Sequence, residues 1–479
     1  MTRRARVQQA MRELVRPTVA AVEPTETLPV IGDAWAVRVL DLAIRIGETM
    51  LVAGDPASEV TLAITRVVGA YGVAPVHVDI TYNSITVAFH RSGADRPITL
   101  LRVVRAAVPD HTRLQRLQAL VADIRAGLPL DAALASAREI RRAPQRYGPL
   151  VVVASQASLA VGVAVMFGGG LAVIALAFIA AALAALTQLV LARARVPFFF
   201  RQIAGAFVLT AAAAATTLLS HTAWGAGEQV RPSVIVASGI VLMLAGLTVV
   251  GAAQDAIDGF ALTAGGRILE LVTQTVGVVV GMIAGLEFAR LIGWGMSPPT
   301  EALPLGPVGM QFLGAAMIAV AVALFNGAGT RIVAVSVVLS LVAWGVYVGT
   351  TVVGFAPAAA AGTAAFAGSL VGIIAAYRLH VPSVAITTAA ILPMVPGAAV
   401  FRGVLSVVAA GDDTAPMLTG FSMLAAAATI GISLAVGASL GIYAGQPLRA
   451  TLASATRARG RLTSIRQDPT TAREGSSVR

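Results

Sequence analysis

The spacing of apolar positions changes character along the chain. From Trp35 to Val52, Val39, Leu42, Ile46 and Met50 recur at helical spacing and stop at Gly54. A second helix is expected over Ser58–Ala70, with Ser58 as its cap. Three β-rich runs follow, Val76–Ile80, Ile85–Phe89 and Ile98–Val104. Thr81-Tyr82-Asn83-Ser84 joins the first two, and Gly93 lies in the next turn. Helices over 112–126 and 130–142 then lead into a different kind of sequence.

Beyond 149 the apolar residues run on with no polar face. A membrane-crossing helix needs about 20 such residues, and ten segments qualify: 150–167, 170–191, 198–220, 233–251, 268–292, 308–326, 332–355, 358–377, 383–408 and 417–443. In lipid the backbone must satisfy its own hydrogen bonds, so runs of this length predict helices. The ten-residue alternation of a β-barrel is absent. The expected fold is a polytopic α-helical membrane protein with about ten transmembrane helices and an N-terminal cytoplasmic α/β domain. Its expected parts are a flexible arm at 1–34, the α/β domain at 35–149, a first five-helix half at 150–292, a second at 293–443 and a basic cytoplasmic tail at 444–479.

Composition supports this division. Only 12% of the 479 residues are charged, and residues 1–149 hold 19 of the 35 basic and 14 of the 24 acidic groups. The net charge of +11 is concentrated beside the apolar segments and in the tail, where basic residues hold the cytoplasmic side against anionic lipid. No zinc-finger pattern or aromatic-studded basic stripe points to nucleic acid. With no cysteine in the chain, disulfides, thiol catalysis and cysteine-ligated metals are excluded. His77, His90 and His111 match no compact metal-ligand spacing, and the glycine-flanked turn of a serine nucleophile is absent around Ser84 and Ser92. No enzyme activity, cofactor or metal is expected. No secretory signal is expected either, because charge persists after Arg3, Arg4 and Arg6.

Arginine placement tests the helix count. With the N-terminus inside, Arg193, Arg195, Arg201, Arg267, Arg331, Arg378 and the tail arginines Arg449, Arg457, Arg459 and Arg461 all fall inside. Outside are only Arg231 and Arg290, beside Glu228, Glu301, Asp412 and Asp413. The bias fits ten spans in the inner membrane with both termini cytoplasmic. A short repeat is also legible: the stretch from Pro232 to Met243 resembles that from Pro382 to Pro393, and the same offset pairs Gly246 with Pro396. Each stretch opens the fourth helix of a five-helix half. Five is odd, so the halves would be inverted repeats, as in many secondary transporters.

Polar residues inside the apolar region mark the candidate chemistry. Asp255 and Asp258 are three apart and could share one helical face; capping a cytoplasmic loop beside Arg267 is the competing reading. Carboxylates near hydrocarbon are costly unless paired, hydrated or protonated, which makes Asp255, Asp258 and Glu270 candidates for proton coupling. Pro393 and Pro396-Gly397 disfavour a continuous helix, and backbone freed there can hold a zwitterion. A helix end at the membrane surface is the plainer alternative. Substrate-binding candidates are Gly246, Gln254, Gly259, Arg267, Gln274, Asn326, Pro393, Pro396, Gly397 and Arg402. Gln156 and Gln188 could serve substrate or bond helix to helix. Gly277, Gly281, Gly285, Gly437 and Gly441 permit close helix contact, and Glu287 and Arg290 form a structural ion pair.

These motifs resemble the threonine/serine exporter family of bacteria, in its fused two-part form. The resemblance covers about 35–445 and rests on Gly47-Glu-Thr-Met-Leu-Val-Ala-Gly54, on Gly246, Asp255, Gly259, Gly266 and Arg267, and on Val395-Pro-Gly397. Ala245 departs from the pattern, standing where a proline is expected. The resemblance implies a secondary exporter of small hydroxy amino acids, driven by the proton gradient and working by alternating access. Its partners would be threonine or serine, protons and the bilayer, with homo-oligomerisation left open. A channel, a carrier for another small solute and a membrane-anchored regulatory or scaffold protein are the other readings.

Overall fold

The computed structural model describes residues 32–90, 96–104, 109–221, 232–243, 246–294, 304–379, 387–388, 390–410 and 413–467. From Val39 onward the chain packs as one compact unit. The first region contains α1 (Asp33–Val52), α2 (Ala57–Ala70), β1 (Val76–Thr81), β2 (Ser84–Phe89), β3 (Ile98–Val103), α3 (His111–Arg125) and α4 (Leu130–Arg142). The strands form an antiparallel sheet in the order β1-β2-β3. Thr81 pairs with Ser84 across the hairpin, so Tyr82 and Asn83 alone make the turn. Alternation along β2 buries Ile85, Val87 and Phe89. Helical spacing on α1, α2 and α3 buries Leu42 and Ile46, Val60 and Ile64, and Leu114 and Leu117. Ser58 does not cap α2: Pro56 takes that place without a side-chain bond, and Ser58 lies in the first turn. The fixed φ of proline is already suited to a helix start. Asp110 does cap its helix, accepting the Arg113 amide at 2.9 Å.

Eight of the following helices are long and apolar enough to cross a membrane: α5 (Pro149–Met166), α6 (Leu171–Arg193), α7 (Phe198–Ala215, extended by a 3-10 turn), α10 (Ala261–Leu291), α11 (Val308–Phe325), α12 (Thr330–Val352), α13 (Pro357–Leu379) and α15 (Thr414–Gln467). Their outward faces carry large apolar side chains such as Leu171 and Val352, 84% and 82% exposed. A soluble protein would bury such surface; a bilayer accepts it.

The other two expected spans are interrupted. In place of 233–251 the chain forms α8 (Pro232–Met243) and α9 (Gly246–Ile257). In place of 383–408, the helical residues 390–391 enter a 3-10 turn at Leu392–Met394, and α14 (Gly397–Ala409) follows. Pro393 and Pro396 lack the amide hydrogen a continuous helix requires. A second difference is the start of α10 at Ala261 instead of 268, which places Glu270 in its third turn. Gly93, Glu228, Arg231, Glu301, Asp412 and the second repeat's start at Pro382 lie outside the described residues.

Glycines set the closest helix approaches. A Cβ at Gly281 of α10 would lie 2.1 Å from the Ile203 carbonyl oxygen of α7. At Gly437 of α15 it would lie 2.1 Å from the Gly362 carbonyl oxygen of α13. Both pairs run parallel, since Gly285 meets Phe207 and Gly441 meets Phe366 further along the same helices. Between α5 and α11 the contact is reciprocal: each of Gly162 and Gly314 faces the other's carbonyl, in an antiparallel pair.

Candidate functional site

At the first interruption, α8 ends at Met243 and α9 begins at Gly246. Gln202 of α7, 3% exposed, donates from Nε2 to the Met243 carbonyl at 3.2 Å. Gln188 of α6 donates in turn to Gln202 Oε1 at 2.8 Å. A polar chain thus reaches the break from two neighbouring helices. At the second interruption the backbone largely serves itself, with the Val395 amide donating to the Leu392 carbonyl and the Gly397 amide to that of Val395. The helices that flank the two interruptions, α8 and α14, are in contact. Val241 and Ala253, on either side of the first, pack on the apolar cluster containing Ala390, Ile391, Leu392 and Met394 of the second. Trp344 of α12 belongs to the same cluster, and its buried indole Nε1 has no hydrogen-bond partner among the described residues.

Down α9 from the break, Gly251 and Asp255 are four residues apart and face Arg267 of α10. The Asp255 carboxylate is fully buried and 3.1 Å from Arg267 Nε. A Cβ at Gly251 would lie 2.6 Å from Arg267 Nη1, so the missing side chain makes room for the guanidinium. Gly259 takes φ +91° in the turn into α10, a conformation suited to glycine. A buried carboxylate needs a paired charge, and here Arg267 of α10 supplies it.

Asp255 and Asp258 have different surroundings. Asp255 points inward from the last turn of α9, whereas Asp258 follows the helix end and accepts from the Tyr443 hydroxyl of α15 at 3.0 Å. Glu270 accepts from Gln274 Nε2 at 3.0 Å and from the Tyr82 hydroxyl at 3.1 Å. Gln254 is half-buried on α9, and its carbonyl accepts the Asp258 amide. Arg402 is half-buried on α14. Asn326 stands apart from this group at the end of α11, where its carbonyl accepts the His111 amide at 2.8 Å. Thr112 bonds the Gly327 carbonyl and Tyr147 that of Ala328, so the α/β region docks on this turn. Glu287 and Arg290 form the expected exposed pair.

Sequence reasoning did not single out Gln202, Gly251, Trp344 or Tyr82. A glutamine within an apolar helix and an aromatic residue in a two-residue turn were the available signals. His111 is buried at the docking turn, and burial lowers its pKa to about 4. Asp55, in the loop before α2, is fully buried with neither oxygen bonded among the described residues; burial and then Glu59 push its pKa well up.

Apolar helices too long for a soluble core, two interrupted crossings and a buried ion pair beside them define a polytopic membrane protein with the features of a transporter. Comparison with known proteins makes this specific. The family model "Putative threonine/serine exporter" matches residues 41–289, and "Threonine/Serine exporter, ThrE" matches 311–443. The chain is 32% identical over 449 residues to "Probable threonine/serine exporter" of Mycobacterium tuberculosis, covering 92% of this chain and 82% of that protein. It is also 32% identical over 438 residues to "Threonine/serine exporter" of Corynebacterium glutamicum, covering 90% and 87%. No solved structure matches. The chain belongs to the threonine/serine exporter family, a family of transporters and not of enzymes.

Proposed function

We propose that this protein exports threonine and serine across the inner membrane, driven by protons moving inward, by alternating access between two inverted five-crossing halves. The observation that carries the reading is the buried Asp255–Arg267 pair on the interrupted helix of an exporter-family chain. A carboxylate held this way can exchange its guanidinium partner for a proton when the helices shift. Substrate would bind at the two breaks, where α9 and α14 offer helix N-termini to the carboxylate and the backbone carbonyls of the interrupted turns would suit the ammonium. Gln188 and Gln202 are placed to bond the side-chain hydroxyl.

Three features support the inverted arrangement. Both halves interrupt their fourth crossing, both pack their third and fifth crossings in parallel through glycines, and the first crossings meet antiparallel through Gly162 and Gly314. Counting each interrupted segment as one crossing gives ten. An even count returns Tyr443 of α15 to the side of Asp258, and the two are bonded. With the α/β region cytoplasmic, the turns at Asp258 and Asn326 share its side, as do Arg193 and Arg331. The arm, the α/β domain and the tail are assigned the boundaries given above.

Proteoliposomes loaded with labelled threonine test this. An inward proton gradient should speed efflux, and Asp255→Asn should abolish that acceleration. Absence of gradient-sensitive efflux of any hydroxy amino acid would sink the export reading. Undiminished proton dependence in the variant would remove Asp255 from coupling.

A further inference from the structure

The hairpin between β1 and β2 does more than end a small sheet. Tyr82 occupies its turn at φ 47°, a left-handed conformation unusual for an aromatic residue. Its amide donates to Thr263 Oγ1 at 3.1 Å, and that buried hydroxyl donates to the Ile80 carbonyl at 3.1 Å. Its own hydroxyl reaches Glu270 Oε2, also at 3.1 Å. Between these two anchors the ring lies on Gly266, where a Cβ would come within 2.6 Å of it. The contacts therefore cover Thr263 to Glu270, about 10 Å along α10 at the usual helical rise. Arg267, which holds Asp255, lies inside that stretch.

We infer that Tyr82 is a positioning residue of the transport cycle: the hairpin clamps the start of α10, keeps Arg267 on Asp255, and must release for each turnover. The inference rests on the coupling role proposed for that pair. Gly266 and Arg267, adjacent in sequence, then have complementary tasks, one admitting the tyrosine ring and the other holding the carboxylate. The clamp is built to be reversible. Individual hydrogen bonds contribute little net free energy, and the Tyr82–Glu270 bond is on the exposed surface. A shift of α10 that parts Arg267 from Asp255 must carry Thr263 and Glu270 with it, so these contacts break in the same step.

The chain has no cysteine, so a cross-link can be introduced without background. A Cβ at Gly266 would lie 3.1 Å from that of Tyr82, near the roughly 3.5–4.5 Å of a disulfide. In the Tyr82→Cys/Gly266→Cys protein the displaced ring also leaves space for the bond. Reconstituted in proteoliposomes, this protein should cross-link on mild oxidation and lose threonine efflux at least tenfold. Dithiothreitol should restore it, and the single-cysteine variants should not respond to the oxidant. Cross-linked protein that transports at its reduced rate would overturn the inference, and so would failure of the folded double variant to cross-link. Should the double variant not fold, Tyr82→Phe carries the test, since it keeps the ring and loses only the hydroxyl. An altered maximal rate with unchanged KM, not added to by Glu270→Gln, is expected; wild-type kinetics would refute the clamp. Wild-type efflux is the separate control for the export reading, and only the ratio of oxidised to reduced rates bears on the hairpin.

Discussion

Asp255 and Arg267 are unequally protected, and that inequality has a measurable consequence. The aspartate is fully buried, whereas the arginine side chain keeps 21% of its exposure. Removing one member of a buried ion pair costs about 3–5 kcal/mol, because the other charge stays desolvated. Arg267→Gln strands the fully buried group and should approach that figure. Asp255→Asn leaves an arginine that can still reach water, and should cost less. The double variant should be more stable than Arg267→Gln alone. Thermal unfolding of the four purified proteins in detergent gives this order, and equal losses from the two single changes would refute it. Both charges were conspicuous in the sequence because charge in an apolar stretch needs a partner. Tyr82 was not: its partner Thr263 is 181 residues away, and nothing local requires the contact.

Helices show the same division between what a local pattern carries and what it does not. Apolar length located eight continuous crossings to within a few residues at most ends. It placed the start of α10 seven residues late, at 268 instead of Ala261. The missed stretch contains Arg267, whose polarity is answered by α9 and therefore does not end the helix. The glycines were legible as small residues, but their separate tasks depend on the neighbouring helix. At Gly281 an alanine Cβ would meet backbone, 2.1 Å from the Ile203 carbonyl, so α7 and α10 would have to part. Overpacking of this kind costs about 1–3 kcal/mol. Gly349, within α12, has nothing within 4 Å of the same position. There alanine should be neutral or stabilising by up to about 1 kcal/mol through helix propensity. A lower melting temperature for Gly281→Ala and an unchanged or higher one for Gly349→Ala is the expected pair of results. Equal shifts would mean that α7 and α10 do not approach this closely.

At the scale of the whole molecule, the α/β region is joined to the helix bundle partly through a group that resists protonation. The His111 amide bonds the Asn326 carbonyl, while the buried imidazole has no partner at Nδ1 among the described residues. Burial holds its pKa at about 4, against about 6.5 for a solvated histidine. Above about pH 6.5 the ring is neutral whether docked or released, and pH has no leverage through it. As pH falls below 6.5 the released state takes up a proton that the docked state refuses, so docking weakens progressively until about pH 4. The full difference corresponds to about 3 kcal/mol. Deuterium uptake at residues 109–113 and 326–328 should therefore rise on acidification from pH 7 to pH 5, after correction for the intrinsic exchange rate. His111→Asn, which cannot titrate, should remove most of that pH dependence. Carboxylates also titrate toward the lower end of this window, so the informative quantity is the difference between wild type and variant. An identical pH response in the two proteins would show that His111 does not govern the contact. The contrast with the other junction is chemical: the hairpin's outer anchor, from Tyr82 to Glu270, is an exposed hydrogen bond that can exchange with water, whereas the imidazole at the docking turn is buried.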